Sequence, residues 1–151
     1  MPDAAALLEA VRTLRAAQPG LGVKQLEARE CCQEGSKAWA DATAEAFHTL
    51  RQQVCAEVAK PAWWNDEDLK ALSKRVVRAA PNEETSHNMR ALVLCGMEKA
   101  WEAGPRSAAE LKEAATHFER AAELSDAPAL KAERATNAAW CRSKAQAIAG
   151  E

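Results

Sequence analysis

Three histidines (His48, His87 and His117) and five cysteines (Cys31, Cys32, Cys55, Cys95 and Cys141) are the side chains with which metal, acid–base or nucleophilic chemistry would begin in this chain. A helical zinc site needs a second ligand one turn further on, and none of the three histidines is followed by one at i+4. Glu113 stands four residues before His117, so the two share a helix face. A single such pair gives a weak attraction when the imidazole is charged, and does not make a metal centre. The cysteines are odd in number and include no C-x-x-C pair, which argues against a disulfide framework and against a zinc knuckle. They read as small, reduced, half-buried core residues. There is no glycine-rich phosphate loop, no G-x-S-x-G elbow and no Cys-His-Asp order that implies a nucleophile. The expectation is therefore no catalytic residue, no metal and no cofactor.

Binding offers more candidates than catalysis does. Trp63 and Trp64 are an adjacent indole pair, and indoles bury a large area at low entropic cost. One of such a pair commonly faces outward, so Trp64 is the expected partner anchor, with the groove beside Leu92 and Phe118 next to it. The competing reading is that both indoles close the end of the core.

The elements that must position these residues are helices. Composition is 48% hydrophobic with no Tyr and two Phe, much of the apolar share is Ala, and no segment alternates apolar and polar residues as a strand does. Pro and Gly punctuate about seven helical segments. Asp3 caps a helix to Gln18, a second runs from Val23 to Gln33, and a third from Ser36 to Lys60 carries Trp39, Phe47, Leu50, Val54 and Val58. After Pro61 and the two tryptophans, Asn65 followed by three acids starts a fourth helix bearing Leu69, Leu72, Val76 and Ala80, which ends before Pro81. A fifth is expected from Glu83 to Trp101 with Met89, Leu92, Val93 and Ala100 on its apolar side. Gly96 lies in its middle, where it would permit a close helix crossing. Ser107 and Glu110 form a capping box for a sixth helix to Leu124, in which Ala114, Phe118 and Ala121 are the packing residues. Ser125 or Asp126 caps a seventh, with Pro128 in its first turn and Leu130, Ala138, Cys141, Ala145 and Ile148 facing inward.

The 151 residues suit one continuous domain: a three-helix unit over 1–60, a tryptophan loop over 61–65 and helical hairpins over 66–151. Twenty Lys and Arg against 22 Asp and Glu give a net charge of −2, without the basic footprint that phosphate backbones select. The apolar runs are far shorter than a bilayer crossing, and residues 1–18 resemble neither a signal nor a transit peptide. A soluble, intracellular and most simply cytoplasmic protein is expected.

Ala114-x-x-x-Phe118-x-x-Ala121-x-x-Leu124 resembles the second helix of a tetratricopeptide repeat, and Leu69 to Pro81 looks like another, with Ser73 at the aromatic position. Met89 to Gly96 and Pro128 to Ala149 fall where the first helices of following repeats would lie. The spacing is degenerate, since Trp101 to Arg106 lengthens one loop. Asn82, Asn88 and Asn137 do not reproduce the carboxylate clamp of that family. The tract Trp101 to Leu111 is also similar to a segment of uncharacterised repeat proteins of microalgae, and Leu7 to Leu26 to the first two helices of transposase helix-turn-helix units. The stretch where a reading helix would follow, Lys37 to Arg51, contains Asp41 and Glu45.

The sequence thus predicts an all-α, helical-repeat, non-catalytic protein–protein interaction module or assembly scaffold. It leaves the protein or peptide partner and the oligomeric state open. The alternative is a nucleic-acid-associated regulator that uses the N-terminal turn.

Overall fold

A computed structural model describes residues 35–53, 64–97 and 100–150. Among them are five helices and no strand: α1 (Lys37–Gln53), α2 (Asp66–Ala79), α3 (Glu84–Cys95), α4 (Ala108–Leu124) and α5 (Pro128–Ala149). The two helices expected before Ser36, the continuation of α1 to Lys60 with Val54 and Val58, and Trp63 lie outside the described residues. So do Cys31, Cys32 and Cys55.

Local chemistry sets the helix starts. Asn65 accepts a hydrogen bond from the Asp68 amide at 3.0 Å, and Asp66, Glu67 and Asp68 fill the first turn of α2, where the exposed amides favour negative charge. Ser107 and Glu110 close the expected capping box on α4, each side chain accepting from the other's amide. At α5, Pro128 occupies the first turn, but the cap is Ala127 with no side-chain bond. Neither Ser125 nor Asp126 caps the helix as expected; the Ser125 hydroxyl accepts from the Ala127 amide at 3.3 Å and is used up in the turn.

The fifth predicted helix is shorter than the sequence suggests. α3 stops at Cys95, because Gly96 takes a left-handed conformation, φ 71°, which ends a helix at little cost only for glycine. Gly96 is therefore a helix terminator, not a mid-helix crossing point. Arg106 then seals the end: its Nε donates to the Leu94 carbonyl at 3.0 Å and Nη2 to that of Val93 at 2.9 Å. The same guanidinium grips Asp66 at the start of α2, with Nη1 at 2.7 Å and Nη2 at 2.5 Å. Trp101 Nε1 and the Gly104 amide also donate to Asp66. Burial opposes charge on Asp66, but Arg106 and these two donors prevail and hold its carboxyl at about 2.

Packing follows chain order, α2 on α3, α3 on α4 and α4 on α5, with α1 lying against both α2 and α3. The connections at 80–83 and 125–127 are too short for anything but a reversal of direction. α3 is the interior element, with every residue from Ser86 to Cys95 buried. Around it sit Trp39, Phe47 and Leu50 of α1, Leu69, Leu72 and Val76 of α2, and Ala114, Ala115 and Phe118 of α4. Among the described residues no helix is long and apolar enough to cross a membrane.

Candidate functional site

The residues expected to meet a partner are, with one exception, inside. Trp64 is 5% exposed; its indole donates to the Ala100 carbonyl at 2.9 Å and its ring packs against Phe47 and Trp101 at 5.7 Å. It closes the core end, as the competing reading had it. Leu92 and Phe118 are likewise buried, so none of the three presents its side chain outward, and Trp63 is the exception only because it lies outside the described residues. Ala114, Phe118 and Ala121 are fully buried on the packing face predicted for them.

Exposed apolar surface is found on α5 instead. This helix buries Arg134, Ala138, Cys141 and Ala145, a single narrow seam. Three of these are small, so α5 can lie close on α4, and the fourth hands its guanidinium to Glu84 at 3.0 Å. Leu130 and Ile148, expected to face inward, are each 37% exposed, and Trp140 is 39% exposed. The buried seam repeats at i, i+4, i+7 and i+11; Trp140 falls outside that arc, whereas Leu130 and Ile148 continue it one step beyond either end, where burial gives out.

Trp140, Lys144 and Ile148, spaced by four, form one wall of a cleft of about 270 Å³. Its other side is the α3–α4 connection, with Gly96, Gly104, Pro105 and Arg106, and Leu111 of α4. The Lys144 ammonium lies 5.8 Å from the Trp140 ring centroid, close enough for a cation–π contact. Between Arg134 and Gly150 the helix carries Arg142 and Lys144 and no carboxylate. The cleft therefore offers an aromatic, an aliphatic and a cationic side chain on one rigid helix. Its lining includes Cys95 and Arg106 and no His, Asp or Glu.

Of the remaining chemistry-bearing groups, Cys95 borders this cleft and the others sit elsewhere. Cys95 and Cys141 are buried free thiols; burial, with Cys95 adding to it, pushes the Cys141 thiol up to about 12, far from a reactive thiolate. His48 meets the edge of Phe47 at 5.3 Å, and burial followed by the positive charge of Arg51 pushes it down to about 4. His87 and His117 are brought together across α3 and α4, at 2.9 Å between their Nδ1 atoms. Thirty residues separate them, so no spacing rule applied to the sequence could pair them. Among the described residues no group of three or more His, Cys, Asp or Glu could hold a metal ion. Trp140 was equally hidden, although its spacing to Lys144 and Ile148 was a signal that could have been read as a second helix face. No family model matches the chain, and comparison with curated proteins and with solved structures finds no match either.

Proposed function

We propose that this chain is a non-catalytic protein–protein interaction module, a tetratricopeptide-like stack of helical hairpins whose outermost described helix receives a protein or peptide partner. The observation that carries this reading is the exposure of Trp140 and Ile148 along the wall of a cleft on a helix that buries only one seam. An exposed indole beside an apolar neighbour is the kind of anchor on which binding energy concentrates, each worth about 2 kcal/mol or more. Lys144 between them supports a segment that brings a carboxylate with its apolar side chain.

Affinity capture from cells, quantified by mass spectrometry, tests the reading with the parent chain and with the paired Trp140→Ala and Ile148→Ala variant. The parent should retain at least one protein that the variant loses by about tenfold or more, with circular dichroism unchanged. Equal recovery of every captured protein by the two chains would contradict it.

A further inference from the structure

Where α3 meets α4, two imidazoles stack with centroids 5.2 Å apart and planes inclined by 30°. His87 Nε2 lies 2.6 Å from the Pro81 carbonyl, the two Nδ1 atoms lie 2.9 Å apart, and His117 Nε2 lies 3.3 Å from a carboxylate oxygen of Glu113. The surrounding charges come from each packed element. Arg90 of α3 holds Glu113 at 3.0 Å and reaches the Lys70 carbonyl and Ser73 hydroxyl of α2. Arg120 of α4 reaches Asn82 in the turn before α3. The Lys70 ammonium is taken by Glu110 and Asp66, and Arg134 of α5 by Glu84.

Counting protons along this line limits what the pair can hold. A carbonyl only accepts, so His87 carries a proton on Nε2. One proton, and only one, fits between the two Nδ1 atoms, since two would collide and none would set lone pair against lone pair. The Glu113 carboxylate asks for a proton on His117 Nε2. Three protons on two rings, a single shared positive charge, satisfy all three contacts. The neutral pair leaves one contact unmet, and a doubly charged pair must break the Nδ1 to Nδ1 bond.

We propose that His87 and His117 form an acid-labile latch between α3 and α4, which accepts one proton with its contacts intact and opens when a second is forced on it. Burial and the neighbouring His87 hold the His117 pKa below the usual 6.5, with Glu113 opposing. The unfolded chain binds a proton on each ring by about pH 5, whereas the folded pair holds at most one. The contribution of the latch is therefore lost as the pH falls toward about 5, where the unfolded chain holds two protons and the folded pair one.

The test is urea unfolding of the full chain between pH 7.5 and 5, read as the slope of the logarithm of the unfolding constant against pH. An Asn at 117 or a Gln at 87 keeps a side-chain amide that can either donate to or accept from the remaining imidazole, so the bar that one ring sets against the other's proton disappears while burial stays. His117→Asn and His87→Gln should each lower the slope near pH 5 by about one proton relative to the parent. His48 is present in all three chains and cancels. In the parent, ¹⁵N spectra of the imidazoles should show the two rings sharing one titration step while the fold persists. Equal slopes in the parent and either folded variant, or two separate one-proton titrations in the folded parent, would overturn the latch; should neither variant fold, the ring spectra decide.

Discussion

α3 and α5 have nearly the same mean hydrophobic character and opposite fates. α3 is wrapped by α1, α2 and α4 and hides every residue from Ser86 to Cys95, polar ones included; α5 is nearly twice as long, touches α4 chiefly, and hides four side chains. Burial on all sides leaves the polar groups of α3 only internal partners, which Arg90 and His87 find and Ser86 Oγ and Asn88 Oδ1 do not. Exposure frees α5 from that demand and leaves Trp140, Lys144 and Ile148 available. Interior and rim thus differ in their aromatic residues: those that pack the core are buried, and Trp140 of α5 is exposed.

The largest way to break the interior should be Phe118→Ala. The ring is fully buried against the interior helix, and the cavity should cost roughly 3 kcal/mol or more in chemical denaturation. Ala114→Leu should also destabilise, by about 1–3 kcal/mol, since a fully buried alanine between helices leaves no room for three more carbons.

Next comes the joint that ties α2, α3 and α4 together. Asp66→Asn weakens the hold on Arg106, whose side chain is 5% exposed, and should cost about 2 kcal/mol. The pH dependence has a defined sign: Asp66 is depressed from 3.8 to about 2, so its contribution is full above about pH 4 and is lost as pH falls through about 2. The variant should show a flatter denaturation profile across that window. A β-carbon on Gly96 would meet Arg106 Cγ at 2.9 Å while the backbone stays at φ 71°. Gly96→Ala should therefore lower stability by about 1–2 kcal/mol, measurable as a lower urea midpoint.

The smallest effect should fall on α5. Trp140→Ala removes a ring that is 39% exposed and lies under the Lys144 ammonium at 5.8 Å, and stability should change by no more than about 0.5 kcal/mol. A loss comparable to that of Phe118→Ala would erase the distinction between the two helices.

Much of the interior was legible in the sequence because helix caps and apolar spacing are local. Asn65, Ser107 with Glu110, and the Ala114, Phe118, Ala121 face all needed only near neighbours to be read. Gly96 was misread because the apolar pattern runs on past it to Ala100 and Trp101. Those two residues lie past the end of the helix, Ala100 accepting from the Trp64 indole and Trp101 packed on Phe47 and Trp64. Gly96 stops α3, and what seals that end is a long-range fact, Arg106 reaching both the last carbonyls and Asp66. The candidate site was hidden for a similar reason. Trp64 and Trp140 are equally apolar as letters, and only packing decides that Phe47 and Trp101 cover the first while the second borders a cleft. Leu130 and Ile148 share the helix face of Ala138, Cys141 and Ala145, and spacing alone does not show that burial along this seam stops short of both ends.

The contrast between interior and rim is most directly tested by hydroxyl-radical footprinting of the chain alone and with the partner retained in capture. Trp140 should be oxidised readily in the free chain and protected several-fold in the complex, while Trp64 and Trp101, both buried, should be nearly unreactive in both. Protection confined to other surfaces, with Trp140 equally reactive free and bound, would contradict the assignment of α5 as the partner-facing helix.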